Sequence, residues 1–225
     1  ELVKGLPLGS GMGSSAASAV AALVAANHLL GNPFSKLELL PFAMEAEAIA
    51  CGAGHADNVA PALLGGFCLV RSYDPLEVVS LPTPPDLRIV ILHPLIEIKT
   101  KDSRSIIKHM VSLKKAINQW GNLGAFISAL HMNDYDLLGR SLQDEIVEPV
   151  RSMLIPYFSE LKKISLETGA LGFGISGSGP SVFSLCKGQE KALFVKEAIR
   201  EFYKNKGIEF DLHLSKINPE GIRIL

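Results

Sequence analysis

The chain has 225 residues, 48% of them hydrophobic and 20% charged, with a formal net charge of −1. A chain of this size and apolar content buries a sizeable core in one domain or two small ones, which excludes disorder. The near-zero charge gives no global field for nucleic acid or an acidic membrane, and small-molecule chemistry is favoured.

The first residue is Glu1, no targeting pattern precedes the first motif, and the chain reads as lacking an N-terminal segment. From residue 7 it runs PLGSGMGSSAA, that is Pro7, Leu8, Gly9, Ser10, Gly11, Met12, Gly13, Ser14, Ser15, Ala16 and Ala17. Three alternating glycines let the backbone take positive φ and expose its amides without Cβ obstruction. Ser14 or Ser15 is expected to cap a helix that begins near Ala16 and stops at Gly31. A glycine-rich loop opening a helix presents N–H groups and the positive end of the macrodipole, which suits a phosphate. It is not a Walker A loop, since Ser14 stands where lysine is needed, nor is Gly-x-Gly-x-Gly the dinucleotide fingerprint. The bland alternative is a tight turn before a core helix. No charged residue falls between Lys4 and Lys36, but the apolar stretch 16–30 is too short and alanine-rich to cross a bilayer.

Ser35 and Glu38 form a capping box for a second helix reaching about residue 50, with Pro41 kinking or restarting it and Gly52 stopping it. Glu45 and Glu47 lie about 200° apart around that helix, so at most one faces a given site. Residues 52–67, GAGHADNVAPALLGGF, set His55, Asp57 and Asn58 between glycines and a short apolar helix. Strand composition over 67–71, 76–81 and 87–93, with turn formers around Asp74, Pro75, Pro82 and Pro85, predicts an antiparallel sheet. From about residue 101 the pattern is helical to Gly169, with interruptions expected near Gly121, Asn133, Pro149 and Pro156. Two strands, 170–175 and 180–186, flank the loop Ser176-Gly177-Ser178-Gly179; a helix over 190–203 and a strand over 208–215 follow. Strands and helices joined by short turns predict an α+β fold with antiparallel sheets. Cys51, Cys68 and Cys186 are odd in number and form no C-x-x-C pair, so neither a disulfide framework nor a zinc site is indicated, and a reducing cytoplasm fits.

PLGSGMGSSAAS resembles the central nucleotide loop of the GHMP kinases, named for galactose, homoserine, mevalonate and phosphomevalonate. GHADNVAPALLGGFCLVRS, TKDSR, EPVRSMLIP and GISGSGPSVFSL resemble the members that act on homoserine, and the matching motifs span most of the chain. The resemblance implies a two-lobed fold. Residues 1–83 would be the C-terminal part of the ATP-binding domain, like the second domain of a small-subunit ribosomal protein, and residues 84–225 a ferredoxin-like C-terminal domain. A further strand-rich part of the first domain is implied ahead of the loop. Also implied are ATP and Mg²⁺ as cofactors, L-homoserine as the acceptor, a role in threonine biosynthesis, and a homodimer in the cytoplasm with no nucleic-acid or membrane partner.

Phosphorylating a hydroxyl requires a cradle for the phosphates, a divalent ion to neutralise charge and a well-placed acceptor. The loop residues 7–17 would hold the nucleotide, and the Ser15 hydroxyl with the Glu47 carboxylate would hold Mg²⁺ through hard oxygen ligands. Their bland alternatives are a helix cap and a solvated helix charge. A zwitterionic acceptor calls for a guanidinium at its carboxylate. The resemblance assigns Arg104 and Arg151 there, with His55, Asp57 and Thr100 lining the same pocket and Gly177 and Ser178 closing over it. Asp57 is the candidate general base; alternatively Asn58 orients the hydroxyl and no base is needed, since a loose transition state requires little nucleophilic push. The rival readings are another GHMP small-molecule kinase, an RNA-binding module, against which the near-neutral charge argues, and a catalytically silent ATP sensor.

Overall fold

The computed structural model describes residues 1–51, 54–96, 98, 103, 106–107 and 110–225. The chain folds as two compact units, one of residues 1–8, 13–83 and 217–225, the other of residues 9–12 and 84–216.

The first unit holds α1 (Ser14–Leu29), α2 (Lys36–Cys51), α3 (Ala56–Leu64) and an antiparallel hairpin of β1 (Phe67–Tyr73) and β2 (Leu76–Leu81). The capping box forms as expected: Ser35 N and Oγ both donate to Glu38 Oε2, at 2.8 and 2.7 Å, and Glu38 N donates to Ser35 Oγ at 3.4 Å. Pro41 does not restart the helix; α2 runs through it. Proline removes one backbone donor there, and burial of Leu39, Leu40 and Ala43 on either side offsets that loss. The core joins Ala16 and Val20 of α1, Leu39, Leu40 and Ala43 of α2, and Ala56, Val59, Ala60 and Leu63 of α3. Alanines at these contacts let the helices approach closely, while burying Val59 and Leu63 contributes about 1.5–3 kcal/mol each. The last residues are stitched to this unit: Gly66 N donates to Asn218 O at 2.7 Å, Ile222 N to Ala62 O at 3.0 Å, and Lys36 Nζ to the carbonyls of Glu220 and Ile222 at 2.6 and 2.9 Å.

The second unit runs β3 (Leu87–Pro94), α4 (Leu113–Met132), α5 (Tyr135–Ser141), α6 (Glu148–Arg151) with a 3₁₀ turn at Ser152–Leu154, α7 (Phe158–Glu167), β4 (Gly172–Ile175), β5 (Val182–Lys187), α8 (Gln189–Tyr203) and β6 (Phe210–Lys216). Its four strands lie in the order β4-β5-β3-β6, all neighbours antiparallel. This is the βαββαβ ferredoxin-like arrangement. β3 therefore does not extend the β1–β2 hairpin as the sequence suggested. Leu87, Val90, Leu92 and His93 are buried on both sides of the strand, so β3 takes a central place between two partners, whereas among the described residues β1 and β2 pair only with each other. α4 is likewise unbroken at Gly121. Ser112 Oγ caps its start by accepting from Lys115 N at 3.4 Å, and Asn133, at φ 53°, ends it. A single helical glycine costs only about 1 kcal/mol, less than a break between good formers. α7 and α8 cover the sheet, packing Phe158, Leu161, Val195, Ile199 and Tyr203 onto Val90, Leu92, Phe173 and Val182. Among the described residues no helix is long and apolar enough to cross a membrane.

Candidate functional site

In the first unit the N-cap of α1 is Gly13, at φ 74° and ψ 33°, and neither expected serine caps the helix. Ser14 Oγ donates instead to Leu6 O at 2.8 Å, and Ser15 Oγ donates to Glu47 Oε1 at 3.0 Å. A capping serine would set its oxygen where an anion must sit, so a side-chain-free N-cap leaves the helix end shaped for a ligand. Asn58 lies over Gly13: a Cβ there would meet Asn58 Oδ1 at 3.1 Å, so left-handed backbone and crowding together require glycine. Glu47 is buried at 6% exposure and Glu45 is exposed, which selects between the two carboxylates that the helical spacing kept apart. Among the described residues Glu47 Oε2 is buried with no hydrogen-bond partner. A carboxylate oxygen removed from water and left unmatched costs about 1–3 kcal/mol or more unless a cation completes it. Among the described residues no three His, Cys, Asp or Glu side chains cluster, so a cation at Glu47 would draw on the Ser15 hydroxyl and on ligand oxygens. His55 is the N-cap of α3, without a side-chain cap bond, and Asp57 is exposed in the first turn.

In the second unit residues 9–12 are held by the loop between β4 and β5. Ser176 Oγ donates to Gly11 O at 3.0 Å, Ser181 N donates to Ser10 O at 3.3 Å, and Gly179 N closes the turn onto Ser176 O at 2.9 Å. The two backbones touch, since a Cβ on Gly11 would lie 2.3 Å from Ser176 O and one on Gly177 would lie 2.8 Å from Gly11 O. Beneath the loop Ser181 Oγ shares a 3.0 Å hydrogen bond with His93 Nδ1, both residues being buried. Burial holds the His93 imidazole below its ordinary pKa, with Asp211 opposing and His213 reinforcing the shift.

Arg151 sits at the end of α6, where its Nε donates to Ser103 O at 3.2 Å and its Nη1 to Gly177 O at 2.9 Å. Ser103, fully buried, donates from Oγ to Ser178 O at 2.8 Å. A cavity of about 470 Å³ adjoins Arg151 and Gly177, walled by Asn122, Phe126, Glu148 and Phe183 among others. The residues expected at the site thus fall into groups by contact: Ser15 with Glu47, Gly13 with Asn58, Gly11 with Gly177, and Arg151 with Gly177. Thr100 and Arg104 lie outside the described residues. Ser103, Ser181 and His93 were not singled out from sequence, and Ser176 was named only as the first residue of its loop. Ser103, Ser176 and Ser181 lie inside motifs that were noted for other residues, whereas His93 carries no local signal.

A glycine-rich loop opening a helix, a buried Ser–Glu oxygen pair beside it and a ferredoxin-like second unit define a small-molecule phosphotransferase of one class. The model of the GHMP kinases N terminal domain matches residues 1–66, and that of the GHMP kinases C terminal matches residues 113–205. The chain belongs to the GHMP kinase family. Its relatives within that family include homoserine kinases. That of Chloroherpeton thalassium is 52% identical over the whole of this chain and 71% of its own length, and that of Chlorobium phaeobacteroides is 49% identical over the same shares. The crystal structure of homoserine kinase from Cytophaga hutchinsonii superposes with a TM-score of 0.94 at 54% identity, covering 97% of this chain and 69% of that one.

Proposed function

We propose that this chain transfers the γ-phosphoryl group of ATP to the side-chain hydroxyl of L-homoserine, giving O-phospho-L-homoserine for threonine biosynthesis. The observation that carries the site assignment is the Ser15–Glu47 pair, with its unmatched carboxylate oxygen, beside the glycine-capped start of α1. In this reading residues 7–17 cradle the nucleotide phosphates through backbone amides and the α1 dipole. Ser15 Oγ and Glu47 would hold Mg²⁺, which would supply positive charge to neutralise the transferring group. Residues 1–83 act as the C-terminal part of the ATP-binding domain and residues 84–225 as the C-terminal domain.

His55, Asp57, Thr100 and Arg104 contact the homoserine, with Arg104 taking its carboxylate. Arg151 donates to the carbonyls of Ser103 and Gly177 and serves, with Arg104, the homoserine carboxylate. Gly177 and Ser178 close over the acceptor. The homoserine oxygen bonds to the γ-phosphorus as the bond from that phosphorus to its bridging oxygen breaks, and ADP leaves with the electron pair. The hydroxyl proton passes to Asp57, or to water while Asn58 orients the hydroxyl. The free thiols Cys68 and Cys186 suit a cytoplasmic enzyme, which we read as a homodimer.

The test is ADP release by the intact gene product with Mg²⁺-ATP and, in turn, L-homoserine, L-serine, L-threonine, mevalonate and galactose. Release dependent on homoserine is expected. Release with a different acceptor, or with none, overturns the assignment.

A further inference from the structure

Helix α4 is buried along one side only. Ala116, Ala129 and Leu130 are buried, while Leu113, Ile117 and Trp120 are 68%, 54% and 63% exposed. A lone exposed leucine needs no explanation, but a tryptophan and two aliphatic side chains in line on one helix do. With Gly124, the half-buried Ile127 and His131 they recur at intervals of 4-3-4-3-4, the spacing of roughly 3.5 residues along which two helices pack. No carboxylate lies on the helix, and Ser128 beside the seam spends its hydroxyl proton on Gly124 O at 2.9 Å. The glycines add a separate observation. A Cβ on Gly121 or Gly124 would meet nothing within 4 Å, so no group among the described residues requires glycine there, although glycine is a poor helix former. A bulky side chain arriving from outside the chain does require it.

From this we infer that α4 is the seam between two copies of this chain, packed antiparallel about a two-fold axis with Trp120 of each copy seated over Gly124 of the other. Pairing the seam end to end sets Leu113 opposite the partner's His131, Ile117 opposite the partner's Ile127 and Trp120 opposite the partner's Gly124, so the bulkiest group meets the smallest. Parallel pairing would stack Trp120 on its own copy and leave a gap at Gly124. Charge selects the same orientation. Lys114 and Lys115 open the helix and Asp134 follows its end, so antiparallel packing brings lysines to the partner's carbonyl end and carboxylate, whereas parallel packing sets lysine against lysine. A helix of 20 residues is about 30 Å long and about 11 Å across. Covering half its surface removes about 500 Å² per copy and about 1,000 Å² in the pair, which reaches the size of a specific interface. Met110 and Val111, 86% and 44% exposed, add apolar surface just ahead of the helix. The inference rests on the homodimer reading, adds where the two copies meet, and is independent of the acceptor.

The experiment is size-exclusion chromatography with light scattering on the intact gene product, for the wild type, Trp120→Glu and Gly124→Leu. The wild type is expected to run as a dimer, and each variant to weaken the dimer about 30-fold or more while staying folded by circular dichroism. On an open helix face Gly124→Leu would leave the mass unchanged and raise the melting temperature, since leucine is the better helix former. Orientation is read by cysteine cross-linking. Under mild oxidation the double variant Ile117→Cys, Ile127→Cys is expected to link the two copies, and Ile117→Cys alone is not. A monomeric wild type overturns the homodimer reading and this interface together. A dimer that survives Trp120→Glu and Gly124→Leu, or that links through Ile117→Cys alone, overturns the interface and leaves the homodimer standing. Homoserine-dependent ADP release by the wild type is measured alongside, so that a failure of the phosphotransfer reading shows separately.

Discussion

Alanine at Gly11 and alanine at Gly9 separate two costs that glycine-rich loops usually confound. Both glycines have left-handed backbone, at φ 76° and 67°, so each substitution carries roughly 1–2 kcal/mol of backbone strain. At Gly9 nothing lies within 4 Å of the added Cβ, and strain is the whole penalty. At Gly11 the Cβ would lie 2.3 Å from Ser176 O, 2.7 Å from Gly179 O and 2.9 Å from Gly179 N, all backbone atoms that no rotamer change can move. To restore ordinary contact the 176–179 loop must retreat by about 1 Å, which breaks the Ser176 Oγ–Gly11 O bond and strains Ser181 N–Ser10 O. A lost hydrogen bond at about 1 kcal/mol and overpacking at about 1–3 kcal/mol put Gly11→Ala roughly 2–4 kcal/mol below Gly9→Ala. For a chain of this size that difference is roughly 4–16 °C in melting temperature, read by differential scanning calorimetry so that each unit's transition is seen. ATP binding should weaken more than ten-fold in Gly11→Ala. Melting temperatures for the two variants within 2 °C of each other would refute the reasoning, because the backbone contact would then be absent.

Three further outcomes are expected. Glu47→Gln keeps the acceptor for Ser15 Oγ but removes a buried charge with an unmatched oxygen, so the metal-free protein should melt no lower than wild type while Mg²⁺-dependent turnover falls about 100-fold or more; parallel loss of both would make Glu47 a structural residue. Neutral His93 contributes stability that is complete above its unfolded pKa, about 6.5, and is lost as pH falls from there through its lowered folded value, because the unfolded chain binds the proton more readily. His93→Gln should therefore flatten the acid side of a melting-temperature profile between pH 8 and 5, and an unchanged profile would count against the buried His93–Ser181 pair. Tyr203 is fully buried with no partner for its hydroxyl among the described residues, and burial pushes that phenol up to about 12. Tyr203→Phe removes the unmatched group and keeps the ring packing on Tyr157 and Phe210, so the melting temperature should hold or rise by a few degrees; a clear fall would reveal a partner for the hydroxyl.

Local order was legible in the residues themselves. The Ser35–Glu38 box, the Asn133 stop, the hairpin turn at Asp74-Pro75 and the glycine loop opening α1 each depend on side chains within about four positions, and each appears where the pattern placed it. The selection of one carboxylate from Glu45 and Glu47 was legible as a limit, since helical geometry forbids both facing one way, though not which one. Beside the alternation of β2, the unbroken apolar run from Ile89 to Leu92 marks a strand buried on both faces.

What the sequence determined by itself was the kind and order of the elements and the chemistry of the glycine loop, because propensity, capping and turn formation are decided by near neighbours along the chain. Only the tertiary structure decided that β3 joins β5 and β6, that residues 217–225 return to the first unit, that Ser15 turns from capping α1 to meet Glu47, and that Arg151 and Ser103 spend their polar groups on the 176–179 loop. Those choices join residues tens to hundreds of positions apart, and they are fixed by the need to bury apolar faces while matching nearly all buried donors and acceptors at once.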